Sequence, residues 1–194
     1  MIKDFLIHNT WAVLLVWGLA YLADYYLTIY FARLLRGPLQ EHIRFEGSLE
    51  LTPVFQKDVD ALRLFSPNFL LRWLISFPLL ALIAWLSDDL GLPQVFYLVI
   101  GGLLLRQAVI LLRHGRNVAL GVLSQPAGSL HGRLEYSRWL SLRLSAAELF
   151  GFGAFFALLS IAMGSWFFLG GALVCLLTGS QHWSYSRKHP LPDR

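Results

Sequence analysis

Lys and Arg are nearly absent from alternate gaps between five apolar stretches and crowded into the others. That asymmetry constrains the fold more than any motif does, because cytoplasmic loops of polytopic membrane proteins retain the cations. The chain therefore reads as an all-α polytopic membrane protein of five transmembrane helices, with a small cytoplasmic hairpin and amphipathic-helix loop.

Composition agrees. Of 194 residues, 56% are hydrophobic and only 14% charged, whereas about a quarter are charged in a soluble domain. This length holds one membrane domain, without room for a separate soluble catalytic domain. The net charge of +4 comes from residues that flank apolar spans and form no continuous stripe, so they argue for topology and against nucleic acid. The single cysteine, Cys175, lies inside an apolar run, which excludes an intrachain disulfide and a cysteine-built metal site. The first apolar stretch is too long for a signal-peptide core and lacks a small-residue cleavage site, so it is expected to remain as a span.

The spans are expected at about 10–32, 67–86, 94–113, 141–163 and 166–183. Ser66 and Pro67 provide an N-cap and first helical residue for the second, and Pro78 an expected kink. Met163, Gly164 and Ser165 offer the reversal that divides the last apolar region. Cytoplasmic loops then cover 33–66 and 114–140, and 184–194 forms a flexible tail. With N-terminus out and C-terminus in, every Lys and Arg except Lys3 faces or snorkels toward the cytoplasm. A four-span chain would put the basic tail outside. Trp11, Trp85 and Trp166 fall at outer span ends and Trp73, Trp139 and Trp183 at inner ends, as interfacial indoles do; Trp17 alone is internal.

In the first loop, Ile43, Phe45, Leu49 and Leu51 share a face if Glu46, Gly47 and Ser48 make a hairpin turn, which sets Arg44 opposite Glu50. Thr52 and Pro53 then start a surface helix running to Phe65, with Phe55, Val59 and Leu62 on one face. The alternative, His42, Glu46 and Glu50 as metal ligands on a helix, conflicts with Gly47 and the strand-like alternation, so no metal is expected. In the second loop, Arg113–Asn117 extends the third span beyond the membrane. Pro126, Ala127 and Gly128 break the chain, and Leu130–Tyr136 alternates as a third strand beside the hairpin. Arg113, His114, Arg116 and Arg133 are candidates for contact with anionic headgroups of the lipid bilayer.

Five-span topology places Asp24, Arg106 and Glu148 in the apolar zone, roughly 14, 10 and 8 Å inside the cytoplasmic edge at 1.5 Å per residue. One cation between two carboxylates is an inventory suited to mutual pairing. Tyr21 and Thr28 share the face of Asp24, and Gln107 adds a donor. Gly101, Gly102, Ala147, Gly151, Gly153, Ala157, Gly170 and Gly171 predict close helix crossings.

Phosphate-cradling, paired-histidine zinc and nucleophile-elbow motifs are absent from the sequence. The histidines fall near span ends or in loops, which disfavours a haem bundle, so no cofactor is expected. The leading expectation is a non-enzymatic structural or accessory subunit of the cytoplasmic (inner) membrane, packing against partners or copies of itself. The alternative is a small oligomeric ion, proton or solute pathway built on Asp24, Arg106 and Glu148. A membrane enzyme acting on lipid headgroups, with His114, His131 and Glu135, ranks third.

Overall fold

The computed structural model describes residues 9–37, 39–124 and 130–189. They form six helices, α1 (Thr10–Arg36), α2 (Pro53–Asp60), α3 (Pro67–Asp89), α4 (Pro93–Leu123), α5 (Arg138–Met163) and α6 (Trp166–Ser186), and two short strands, β1 (Ile43–Phe45) and β2 (Leu134–Tyr136). Lys3, the break at Pro126–Gly128 and the tail beyond His189 lie outside the described residues.

Four helices, α1, α3, α4 and α5, are long and apolar enough to cross a membrane. The surface they turn outward is aliphatic and aromatic; on α3, Leu71, Leu74, Ile75, Leu79, Leu82 and Trp85 are all exposed. An isolated helix must satisfy its own backbone in hydrocarbon, and these helices do so except at the turn of α3 where Pro78 has no N–H to donate. α4 is 31 residues long, about 46 Å, well beyond a hydrocarbon core of about 30 Å. The Arg113–Asn117 run lies within this helix.

Local chemistry sets the helix ends. Ser66 Oγ accepts the Phe69 N–H at 3.2 Å, and Pro67 opens α3. Thr52 precedes α2 without a side-chain cap. α2 stops at Asp60, short of the expected Phe65, because the chain turns back: Leu62 takes a left-handed φ of 51°. Arg63 and Ser66 then both bond the buried Asp58 carboxylate. The tail begins later than expected, since α6 continues to a buried Ser186.

α5 and α6 form an antiparallel hairpin about Gly164, whose φ of 56° is the left-handed conformation that glycine adopts freely. α6 lies between α5 and α4; α4 packs on α1, and α3 on both α1 and α4. The α4–α6 crossing is backbone on backbone. A Cβ on Gly170 would stand 1.9 Å from the Leu98 carbonyl oxygen, and one on Gly101 2.1 Å from that of Phe167. Gly153 similarly meets Leu176, whereas Gly151 faces open space and Ala147 is exposed.

The expected hairpin is corrected. β1 pairs in parallel with β2, joining Ile43 to Leu134, Arg44 to Glu135 and Phe45 to Tyr136. Leu49 and Leu51 are not in a strand, and Arg44 opposes Glu135 in place of Glu50. The physical reason is a better set of partners. His42 O accepts the Leu134 N–H, Tyr136 O accepts the Glu46 N–H, and Phe45 stacks on Tyr136 with ring centres 4.8 Å apart. Arg138 completes the link by donating to the carbonyls of Ser48, Glu50 and Leu51. The two loops thus fold together over one end of the bundle.

Candidate functional site

Beneath those loops lies a cavity of about 680 Å³. Helical periodicity builds its walls. α1 contributes Tyr21, Asp24, Tyr25, Thr28 and Phe31, and α4 contributes Arg106, Ile110, Arg113, Asn117 and Leu120; α5 adds Ser141, Leu144, Ser145 and Glu148, and α6 adds Thr178 and His182. Within each helix these positions recur at intervals of three or four, the spacing of one face. Phe45, Leu49, Glu50, Leu51, Phe55 and Tyr136 from the loops, and Phe69 of α3, also line it.

The six residues expected to form an intramembrane cluster, Asp24, Arg106, Glu148, Tyr21, Thr28 and Gln107, all line this one space. Their pairing is different from the expectation. Arg106 bonds neither Asp24 nor Glu148, and it has no carboxylate within 4.0 Å among the described residues. His114 and Arg113, one heptad after Gln107 and Arg106, take the two acids. Depth along the membrane normal follows from residue count, but the direction a helix face points does not.

Asp24 Oδ1 stands 2.8 Å from His114 Nε2, which is also 3.2 Å from Thr28 Oγ1. The Thr28 hydroxyl donates its proton to the Asp24 carbonyl at 2.9 Å. Both oxygens near Nε2 therefore act as acceptors, which assigns the shared proton to that nitrogen. Across the cavity, Arg113 donates from Nε to Glu148 and from Nη1 to Ser145 Oγ at 2.8 Å. Ser145 Oγ also stands 2.8 Å from His182 Nδ1, within hydrogen-bond distance. One chain of polar contacts thereby joins α4, α5 and α6.

Glu50 is the acid that the loops contribute. Burial pushes its carboxyl above the ordinary value, and this outweighs the opposing hydrogen bond from the Thr52 N–H at 2.6 Å.

The headgroup candidates divide. Arg113 and His114 line the cavity and are mostly buried, and the exposed Arg116 sits on its rim. Arg133 lies elsewhere, exposed beside Glu135 at 3.8 Å. His42, Glu46 and Glu50 do not share a helix face, since β1 intervenes; His42 bonds the Gly132 carbonyl and Glu46 the Arg138 N–H. Ser145, His182, Thr178 and Glu50 were missed by the charge count. Helical spacing carried a signal for three of them: Ser145 is three residues before Glu148, and Thr178 and His182 are four apart.

Comparison with protein-family models, curated proteins and solved structures finds no match, so the reading of this site rests on its geometry.

Proposed function

We propose that the chain is a five-span protein of the cytoplasmic membrane, N-terminus out and C-terminus in, whose cavity is the cytoplasm-facing vestibule of a small-solute pathway. The observation that carries this reading is the void itself. Charges that serve only as interhelical glue sit in a packed interface; here the Asp24–His114 and Arg113–Glu148 pairs and Arg106, unpaired among the described residues, border a space of about 680 Å³. That volume falls within the roughly 300–1,000 Å³ range of ligand pockets. Support for the fifth span comes from α6, which runs antiparallel along α5 from Phe168 against Phe156 to His182 against Ser145. Support for the orientation comes from the cavity end of the bundle, which carries both basic loops.

The non-enzymatic reading is kept. Of His114, His131 and Glu135, only His114 lines the cavity; His131 and Glu135 are exposed outside it and supply no partner for catalysis.

The test uses single cysteines at Asn117 and Thr178 in a Cys175→Ala background. A membrane-impermeant maleimide is expected to label both from the cytoplasmic side only. Proteoliposomes carrying the wild-type chain are expected to show flux of at least one ion or small organic solute from a panel, lost in Asp24→Asn and Glu148→Gln. Unlabelled cysteines, together with flux equal to that of empty liposomes, would overturn the proposal.

A further inference from the structure

The cations of the cavity are not all paired. Its acids within the bundle are already committed, Glu148 to Arg113 and Asp24 to His114. Arg106 and Arg116 line the same space and have no carboxylate within 4.0 Å among the described residues. Arg113 spends Nε on Glu148 and Nη1 on Ser145, and its buried Nη2 has no acceptor. Two guanidinium groups on one face of α4 thus retain donors toward a common region. Arg106 and Arg113 are two helical turns apart, about 10 Å along the axis, a separation that two extended arginine side chains bridge.

Charge counting narrows the ligand. With Glu148 paired to Arg113 and Asp24 to His114, the cavity cations without a carboxylate partner among the described residues are Arg106 and Arg116. Together they bring two positive charges. A phosphate monoester carries the complementary charge, about −1.5 to −2 near neutral pH. Guanidinium forks suit its oxygens in a way that ammonium groups do not.

Room and lining narrow it again. A bare anion fills a small part of 680 Å³. Much of the remainder is bounded by Phe31, Phe45, Phe55, Phe69 and Leu144, which accommodate an apolar or aromatic group and offer a phosphate no hydrogen-bond donor. We infer that the cavity binds a phosphate monoester, with the phosphoryl group between Arg106 and Arg113 and the organic portion against the aromatic wall under the loops. This rests on the reading of the cavity as a solute site and names its ligand class.

The test measures binding to the purified full chain in nanodiscs of phosphatidylcholine. Inorganic phosphate and phenyl phosphate are titrated by calorimetry, and phosphatidic acid is introduced into the nanodisc and read by the shift in melting temperature. Saturable binding of phenyl phosphate, or stabilisation by phosphatidic acid over an equal amount of phosphatidylcholine, supports the inference. The first outcome assigns a soluble ester and the second a lipid. Arg106→Gln is expected to weaken binding at least tenfold, and Arg133→Gln, at an exposed position away from the cavity, to leave it unchanged. Because Arg106→Gln can impair assembly, Arg116→Gln on the rim serves as the second variant, with an expected severalfold loss. Binding of none of the three probes, equal binding by Arg106→Gln and wild type, or equal competition by chloride would overturn the assignment. If cavity cysteines still label and another solute still crosses, the phosphate assignment alone fails and the vestibule stands.

Discussion

Arg113 donates from Nε to the Glu148 carboxylate, forming an ion pair between α4 and α5 where those helices otherwise barely touch. The side chains are only 16% and 22% exposed, so neither charge is well solvated alone. Arg113→Leu is expected to cost about 3 kcal/mol by leaving Glu148 uncompensated, and the double variant with Glu148→Leu to cost less. Asp24→Leu and His114→Leu should show coupling of the same sign. Arg106→Leu combined with Glu148→Leu should be additive. Thermal or denaturant unfolding in detergent measures all three cycles; strong coupling of Arg106 to Glu148 would contradict the geometry.

The α4–α6 crossing has no space for a methyl group. Gly170→Ala is expected to destabilise by at least the roughly 1–3 kcal/mol typical of overpacking, since the clash at 1.9 Å is with the Leu98 backbone oxygen and no side-chain rotation relieves it. Gly151→Ala, on the open face of α5, should be neutral or stabilising by up to about 1 kcal/mol through helix propensity. Melting temperatures of the two single variants provide the comparison.

Ser66 and Thr52 both precede a helix that opens with proline, yet they do different work. Ser66 caps Phe69 N and donates to the buried Asp58 carboxylate, whereas Thr52 makes no side-chain cap. Ser66→Ala should cost about 2 kcal/mol, combining a lost cap with a weakened buried acceptor. Thr52→Ala should change stability by less than about 0.5 kcal/mol. Equal losses in the two variants would refute this assignment.

Glu50 gives the loops over the cavity a pH dependence with a defined sign. Its carboxyl value is raised in the folded state by burial above the ordinary 4.5, so the folded protein binds this proton more tightly than the unfolded chain. The associated stabilisation is fully present below 4.5 and is lost as pH rises through the higher folded value. Glu50→Gln should remove that loss, making the variant's stability relative to wild type increase across the same window. Unfolding curves collected from pH 4 to pH 8 test the direction; a relative stability that falls with rising pH would be inconsistent with it.

Much of the membrane architecture was legible because its signals are additive along the chain. Hydropathy placed α1, α3, α4 and α5, and Ser66–Pro67 marked the start of α3 within the residues that set it. Gly164 marked the reversal between α5 and α6 because one left-handed residue suffices there. Counting residues also placed Asp24, Arg106 and Glu148 at similar depth, and all three line one cavity.

Rotation and long-range pairing belonged to the tertiary structure. The direction of a helix face depends on its neighbours, so whether Arg106 or Arg113 met Glu148 was settled only when α6 wedged between α4 and α5. Strand pairing was legible in part: Leu134–Tyr136 does lie beside Ile43–Phe45, but as its parallel partner in place of the expected hairpin. Ile43–Phe45 had the alternation of a strand, but its partner was chosen by folding of α1 and α5, which carries Leu134–Tyr136 alongside it from the other loop. Local sequence specifies a backbone's tendency to extend; it does not specify which distant backbone will satisfy its hydrogen bonds.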